Sequence, residues 1–573
     1  MLSAPPSSRV LAIPELLDMI FAYLDDPSNA SNASVCKQWS NVALDTLWRD
    51  LNDLHRLFSI LKPLKQVGEA PDSPYAFVQA PDAEDWRRLE KYSRRVRRFR
   101  FLQVDSDSEG PRLCPTVFED VARTRTSLNL LPNLTSLAWH GPLSFAPLFL
   151  HNNIKHFVLY LPIFIPPESP LPFFRDVASR MPSLSLLDLR TRLPMRDMEE
   201  AALFLLRSLP KLRKVIFPRY SATTRIIETL ATLEDLGCVE FQYVAEQGIG
   251  DPADTAVFKP TLNVGAFPSL WDLSLTCRVE DCIAFMKQTF APVNLTALYV
   301  DSQLIESPAA VHELLLVLAD TCQLLEALGI ITLIGGVTEE GPQTLAEVPS
   351  ADRINFATLR PLQNFPNLNI FEIIHQYPLD LQLEELEQLA RSWPSLRKLI
   401  LNNEPVISDE SSLTLKALLP FARHCPELEQ LGLFINASTA DLPSTYHADL
   451  PPAYQSKPFS KLRRLSMGVS LIADEGSIAL FLSQICPLNT DVECGITWET
   501  PEQREEQALL AVIQERCVKW AKVLELLPLL TKLRMEERER TRLLMAEVED
   551  LRMRSGVLMD RVKAAGGDSC VML

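Results

Sequence analysis

The chain has 573 residues, 47% of them apolar and 23% charged, with a formal net charge of −17. That balance supports a large buried core and excludes an intrinsically disordered chain, and the acidic surplus weighs against a nucleic-acid binder, which relies on excess Lys and Arg. No charged-then-apolar leader opens the sequence, since Met1 to Ser8 is short and rich in Ser and Pro, and no apolar run reaches the roughly 18 residues that span a bilayer. The eleven cysteines, scattered from Cys36 to Cys570, include no CxxC pair and sit mostly in apolar runs, as reduced core cysteines do. A cytoplasmic or nuclear location is expected, and the Asn-Ala-Ser triplets at Asn29 and Asn32 are then not glycosylation sites.

In chain order, Ile13-Pro14-Glu15 places a proline where a helix begins, because its missing N–H is not needed there. Leu16, Leu17, Ile20, Phe21 and Leu24 follow with helical spacing and a wide apolar face. Asp25-Asp26-Pro27 ends that helix, and after a polar stretch a second periodic set, Val35, Trp39, Val42, Ala43 and Leu47, closes on Trp48-Arg49, giving one or two further helices. A helical piece of about forty residues lacks a sufficient core of its own, so its apolar surface needs a partner.

These residues carry a family resemblance. Ile-Pro-Glu-Leu-Leu-x-x-Ile-Phe-x-Tyr-Leu-Asp, then Val-Cys-Lys-x-Trp, then Leu-Trp-Arg resembles an F-box. The resemblance implies docking onto a Skp-type adaptor that links to a cullin scaffold, through the positions of Pro14, Leu16, Ile20, Leu24, Val35, Cys36 and Trp39. Family members usually have leucines where this chain has Asp26 to Ser34, so that part of the surface is expected to be thinner. The alternative is that residues 13–49 cap the apolar end of a repeat array.

The array is announced by a recurring phrase, apolar–Pro–x–Leu, at Leu131-Pro132-Asn133-Leu134, Met181-Pro182-Ser183-Leu184, Leu209-Pro210-Lys211-Leu212, Phe267-Pro268-Ser269-Leu270, Phe365-Pro366-Asn367-Leu368, Trp393-Pro394-Ser395-Leu396 and Cys425-Pro426-Glu427-Leu428. Versions without the proline fall near Val96, Ile154, Leu236, Leu295, Leu325 and Leu462, giving a solenoid period of about thirty residues. The residues after each leucine alternate like a strand and those before it are helical, a pattern that resembles leucine-rich repeats, with the usual Asn or Cys after the strand missing. An irregular horseshoe is expected, with a curved parallel sheet, outer helices, and loops over 335–360 and 436–458. Its substrate face would carry Thr135, Ser136, Ser185, Leu186, Trp271, Asp272, Arg397 and Lys398.

Two further stretches stand out. Eight basic residues between Arg87 and Arg100 suit either an acidic partner or the wet face of a helix running into the first strand. After Pro528, Leu544, Val548, Leu551, Ser555, Leu558 and Val562 form a short heptad seam, consistent with weak coiled-coil self-association or with a helix packed on the last repeat. The ending Cys570-Val571-Met572-Leu573 fits a C-a-a-X box, making Cys570 a candidate for prenylation and reversible membrane association.

No HExxH, GxSxG or GxxxxGK[ST] phrase occurs, and the histidines and cysteines lack metal-ligand spacing, so no catalytic residue, metal or cofactor is expected. The fold class is therefore α/β: F-box over 9–50, helical linker over 51–95, leucine-rich-repeat solenoid over 96–498, helical or coiled-coil tail over 501–563, flexible tail over 564–573. The resemblance is to F-box proteins with leucine-rich repeats, of fungal type. It implies a non-enzymatic adaptor of an SCF-type ubiquitin ligase that recruits a protein substrate and binds no nucleic acid. The alternative function is a leucine-rich-repeat scaffold outside the ubiquitin pathway, tethered to a membrane through Cys570.

Overall fold

Most apolar–x–x–Leu phrases fold in the same way. The anchor's carbonyl accepts the leucine N–H in a tight turn, as in Leu134 to Leu131 (3.0 Å), Leu184 to Met181 (3.1 Å) and Leu396 to Trp393 (3.2 Å). Where proline follows the anchor, it disfavours helix at the residue before it, which is why Leu171–Arg180, Leu383–Ser392 and Leu418–His424 each stop one residue short of the anchor. The residue after each leucine then presents one carbonyl to two N–H groups of the next unit. Arg97 accepts from Thr135 (2.8 Å) and Ser136 (3.2 Å), Thr135 accepts from Lys155 and His156, and Lys155 from Ser185 and Leu186. This shared bond sets the register between these rungs.

The computed structural model describes residues 11, 13–68, 70, 73–102, 112–162, 169–333, 345–437, 458–497 and 506–566. Cys570 and much of the expected loops over 335–360 and 436–458 lie outside the described residues. The chain divides into two units, Met1–Leu298 and Tyr299–Leu573. In the first, the strands Asp50–Leu51, Arg98–Leu102, Ser136–His140, His156–Tyr160, Leu186–Arg190, Lys214–Phe217, Cys238–Phe241 and Asp272–Thr276 pair in that order, all parallel. In the second, the same holds for Ala327–Thr332, Ile370–His375, Lys398–Leu401, Gln430–Leu433, Arg464–Gly468 and Asp491–Cys494. Ala297–Ser302 is a further strand, lying across the division.

The core is the set of anchors and leucines. Leu131, Leu134, Leu137, Met181, Leu184, Leu209, Leu212, Leu396 and Leu399 are fully withdrawn from solvent. Each such side chain contributes about 1.5–3 kcal/mol of burial. The outer layer is irregular, as expected. Some rungs return through a helix, while Ser136–His140 and His156–Tyr160 are joined through a single turn of 3₁₀ helix, Ala146–Leu148.

The expectation that 51–95 is a helical linker needs correction. Helices Leu54–Phe58 and Ala83–Ser93 flank an antiparallel hairpin, Leu64–Gln66 with Tyr75–Phe77. Gly68, at φ +127°, supplies backbone freedom at the end of its first strand that other residues lack. In the tail, one helix runs over Glu506–Gly566. Its first half packs on the last repeats, with Trp520, Val523 and Leu527 buried and the Trp520 indole N–H donating to the Ser470 carbonyl (3.0 Å). From Met535 to Val562 every residue is exposed. Among the described residues, no helix is long and apolar enough to cross a membrane.

Candidate docking surfaces

The N-terminal segment forms three helices, Pro14–Phe21, Asp26–Asn32 and Lys37–Arg49. Pro14 starts the first, and Leu17 and Phe21, one turn apart, pack against Val42 and Ala43 of the third, with Ala33 and Trp39 closing the small core. The polar stretch is itself a helix. The Asp25 carboxylate caps it by accepting the Ser28 N–H (3.0 Å), and the Ser28 hydrogen bonds hold that carboxyl below its usual range. Asn29, buried in the space between helices, donates its amide to the carbonyls of Phe21 (3.0 Å) and Leu24 (3.3 Å). It thereby satisfies the Leu24 carbonyl past the end of the first helix and gives the Phe21 carbonyl a second donor beside the Leu24 N–H (3.1 Å).

With Leu17 and Phe21 turned inward, other apolar side chains of the segment stay wet, on the first helix and in the turns that follow the first and second helices. Ile20 is 41% exposed, Leu24 40% and Val35 61%. Pro14 and Cys36 are exposed as well, Leu16 is half-buried, and Trp39 is half-buried edge-on against Phe21, ring centroids 5.5 Å apart. Ile20, Leu24, Val35 and their neighbours thus share one small body, whereas Leu16 and Trp39 divide their surface between its core and solvent. Sequence reasoning passed over Met19 (62% exposed), on the first helix, and Tyr23 (91%), in the turn that follows it. Their helical spacing was the available signal.

The third helix is fixed directly to the sheet. Leu47 and Trp48 are buried, Trp48 lies 5.1 Å from the Tyr92 ring, and the Arg56 guanidinium stands 4.6 Å above it. Arg49 reaches back to Asp18 (2.5 Å) through its side chain, and its carbonyl accepts the Arg97 N–H (2.9 Å), the same bond that links repeat to repeat. Asp50–Leu51 then pairs with Arg98–Leu102 as the first strand. Much of the basic stretch serves this junction. Arg95 binds Asp45 and the Asn41 carbonyl, Arg98 binds Asp50, and Arg88 binds Asp85 and the carbonyls of Ile60 (2.8 Å) and Leu61 (2.7 Å).

On the sheet face of the first unit, one register row runs Arg98, Ser136, His156, Leu186, Lys214, Cys238, Asp272. Of the expected face positions, Ser136, Leu186 and Asp272 lie in this row, while Thr135, Ser185 and Trp271 precede their strands and supply the shared carbonyls. The Cys238 thiol donates to Asp272 (3.4 Å), and Lys214 pairs with Glu240 (2.8 Å). Burial pushes the Cys238 thiol and the Asp272 carboxyl upward. Cys238, Glu240 and Asp272 would suit a cation, but Lys214 already stands there as the counter-charge. In the second unit the row Ile370, Lys398, Gln430, Arg464, Asp491 is polar and largely self-paired, through Lys398 with Glu372 (2.5 Å) and Arg464 with Glu493 (2.9 Å). Arg397, like its counterparts, precedes its strand.

Behind that row lie polar side chains that sequence reasoning did not select. His375 is buried, with its Nδ1 accepting the Tyr377 N–H (3.1 Å) and its Nε2 against the Glu306 carbonyl (3.3 Å), and burial holds it below the usual histidine range. Asn402 directly follows its strand, accepts the His375 N–H (3.0 Å) and donates to the Tyr377 carbonyl (2.7 Å). Glu404, bonded to the Thr497 N–H and hydroxyl, is pushed by burial up to about 7. These groups satisfy loop backbone rather than forming a reactive site.

Comparison with known proteins adds the following. The F-box-like family model matches residues 14–53. No curated protein matches the sequence. Among solved structures, the Rad7 and Elc1 complex in yeast is 13% identical, over 88% of this chain and 96% of that one, with a TM-score of 0.30. The TLR13–ssRNA13 complex is 14% identical, over 78% of this chain and 59% of that one, with a TM-score of 0.31. The chain therefore carries an F-box-like domain at its N-terminal end, followed by a parallel repeat solenoid.

Proposed function

We propose that this chain is the substrate-recruiting, non-catalytic subunit of an SCF-type ubiquitin ligase. Residues 14–39 dock a Skp-type adaptor and, through it, a cullin, while the sheet face holds a protein substrate. The observation that carries this reading is the set of apolar side chains Ile20, Leu24 and Val35, left exposed on a segment that matches the F-box-like model. Exposed apolar groups gathered on one small body mark an interaction surface.

The mechanism is proximity. Holding substrate and ligase on one chain raises their effective concentration for a transfer that partner proteins carry out. The junction favours this, because the last F-box-like helix runs straight into the first strand and Arg49 takes part in the backbone ladder. Such a chain would work in the cytoplasm or nucleus. The test is co-expression of the full chain with a Skp-type adaptor. The unmutated chain should co-purify with it, and Leu24→Asp and Val35→Asp should each weaken binding at least tenfold. Failure of the unmutated chain to bind defeats the reading.

A further inference from the structure

We infer that the distal half of the terminal helix is a homodimerisation element: a parallel, two-stranded coiled coil with a second copy of this chain. The helix Glu506–Gly566 changes character along its length. Ile513, Trp520, Val523 and Leu527 are buried, so its first half is occupied. Beyond Met535 the helix continues without burying a side chain among the described residues, yet stays rich in Leu, Met and Val. Leu544 (53% exposed), Val548 (47%), Leu551 (55%), Leu558 (59%) and Val562 (71%) make up its stripe.

The order of residues in the stripe selects the occupant. Leu544, Leu551 and Leu558 recur at every seventh position, and Val548, Ser555 and Val562 fall four residues after each of them. Leucine at the d positions with β-branched valine at the a positions is the combination that favours two parallel strands. Ser555 is a polar a residue of the kind that fixes register while weakening the pair.

The flanking charges agree. In a parallel pair, each position before an a residue meets the partner's position five residues on. Glu547 then faces the second copy's Arg552, twice by symmetry, while Arg540 and Arg554 face Met545 and Met559. No like charges oppose each other. An antiparallel pair that keeps the leucine layers would match Glu547 with Arg554 but would set Arg540 against Arg561. Like-charge contacts of that sort select against a pairing. The existing ion pairs Arg554–Asp550 (2.8 Å) and Arg552–Glu549 (3.9 Å) lie beside the stripe and leave it open.

The experiment is sedimentation equilibrium of the full chain at rising concentration. The mass should climb from 64.5 kDa toward twice that value. Leu551→Glu should hold it at the monomer mass, whereas Met553→Glu, on the far side of the helix, should leave dimerisation unchanged. Because every altered residue is exposed, circular dichroism should show each variant folded. Ser555→Cys should give a disulfide-linked dimer on air oxidation, above the level of the parent chain, since residue 555 meets itself only in the parallel register. A chain that stays monomeric at every concentration, or a dimer indifferent to Leu551→Glu, overturns the inference. A dimer in which Ser555→Cys does not cross-link overturns the parallel arrangement.

Discussion

The repeat sheet and the F-box-like helices are both leucine-rich, but they place their leucines differently. In the sheet, each anchor and its leucine meet the same residues of the next unit, and Leu134, Leu184, Leu212 and Leu396 vanish from the surface. In the three helices, Leu17 and Phe21 exhaust the core that so short a segment can build, and Ile20, Leu24 and Val35 stay wet. Apolar content alone therefore does not mark a docking surface. What marks it is apolar content that the local fold cannot use.

That contrast can be broken experimentally, beginning where the effect is largest. Trp393→Ala, at a fully enclosed anchor, should cost about 3–5 kcal/mol in chemical denaturation, the range for emptying an aromatic core site. Glu404→Gln comes next and depends on pH. A carboxyl raised from 4.5 to about 7 by burial contributes stability that is present below pH 4.5 and lost as pH rises through about 7. The glutamine, which mimics the protonated form, should therefore be more stable than the parent by up to about 3 kcal/mol at pH 8 and no more stable at pH 4.5. His375 works in the opposite sense: its folded value lies below 6.5, so stability falls as pH drops below 6.5. Asn29→Ala should cost about 1–3 kcal/mol, because it leaves the Leu24 carbonyl without its Asn29 donor and strips one of two donors from the Phe21 carbonyl. Smallest of all, Leu24→Asp should change stability by only about 0.5 kcal/mol, as exposed sites do. A large loss there would mean that Leu24 belongs to the fold.

Much of this was legible in the sequence because burial repeats. The spacing of Leu131, Leu134 and Leu137, and of the six equivalent phrases, follows from strands that must each bury the same face. The helix Asp26–Asn32 was not legible, since Pro, Ser, Asn and Ala carry no apolar period; a cap from Asp25 and the tertiary bonds of Asn29 hold it. The hairpin around Gly68 was missed because three-residue strands are too short to show alternation. The arginines of the basic stretch find Asp45, Asp50 and the carbonyls of Ile60 and Leu61 across spans no local pattern reports. Nor could spacing reveal that His375 and Asn402 serve backbone groups from other rungs, since the partners meet only once the sheet is stacked.

On the proposed reading, the exposed apolar side chains of the F-box-like domain, and not the repeat sheet, receive the adaptor. Calorimetric titration of a Skp-type adaptor into the full chain, its Leu24→Asp variant and an Arg464→Glu variant on the sheet face tests it most directly. The account predicts saturable binding to the parent, retained in Arg464→Glu and weakened at least tenfold in Leu24→Asp, with all three unfolding at similar temperatures. Binding that survives Leu24→Asp undiminished but is lost in Arg464→Glu would contradict it.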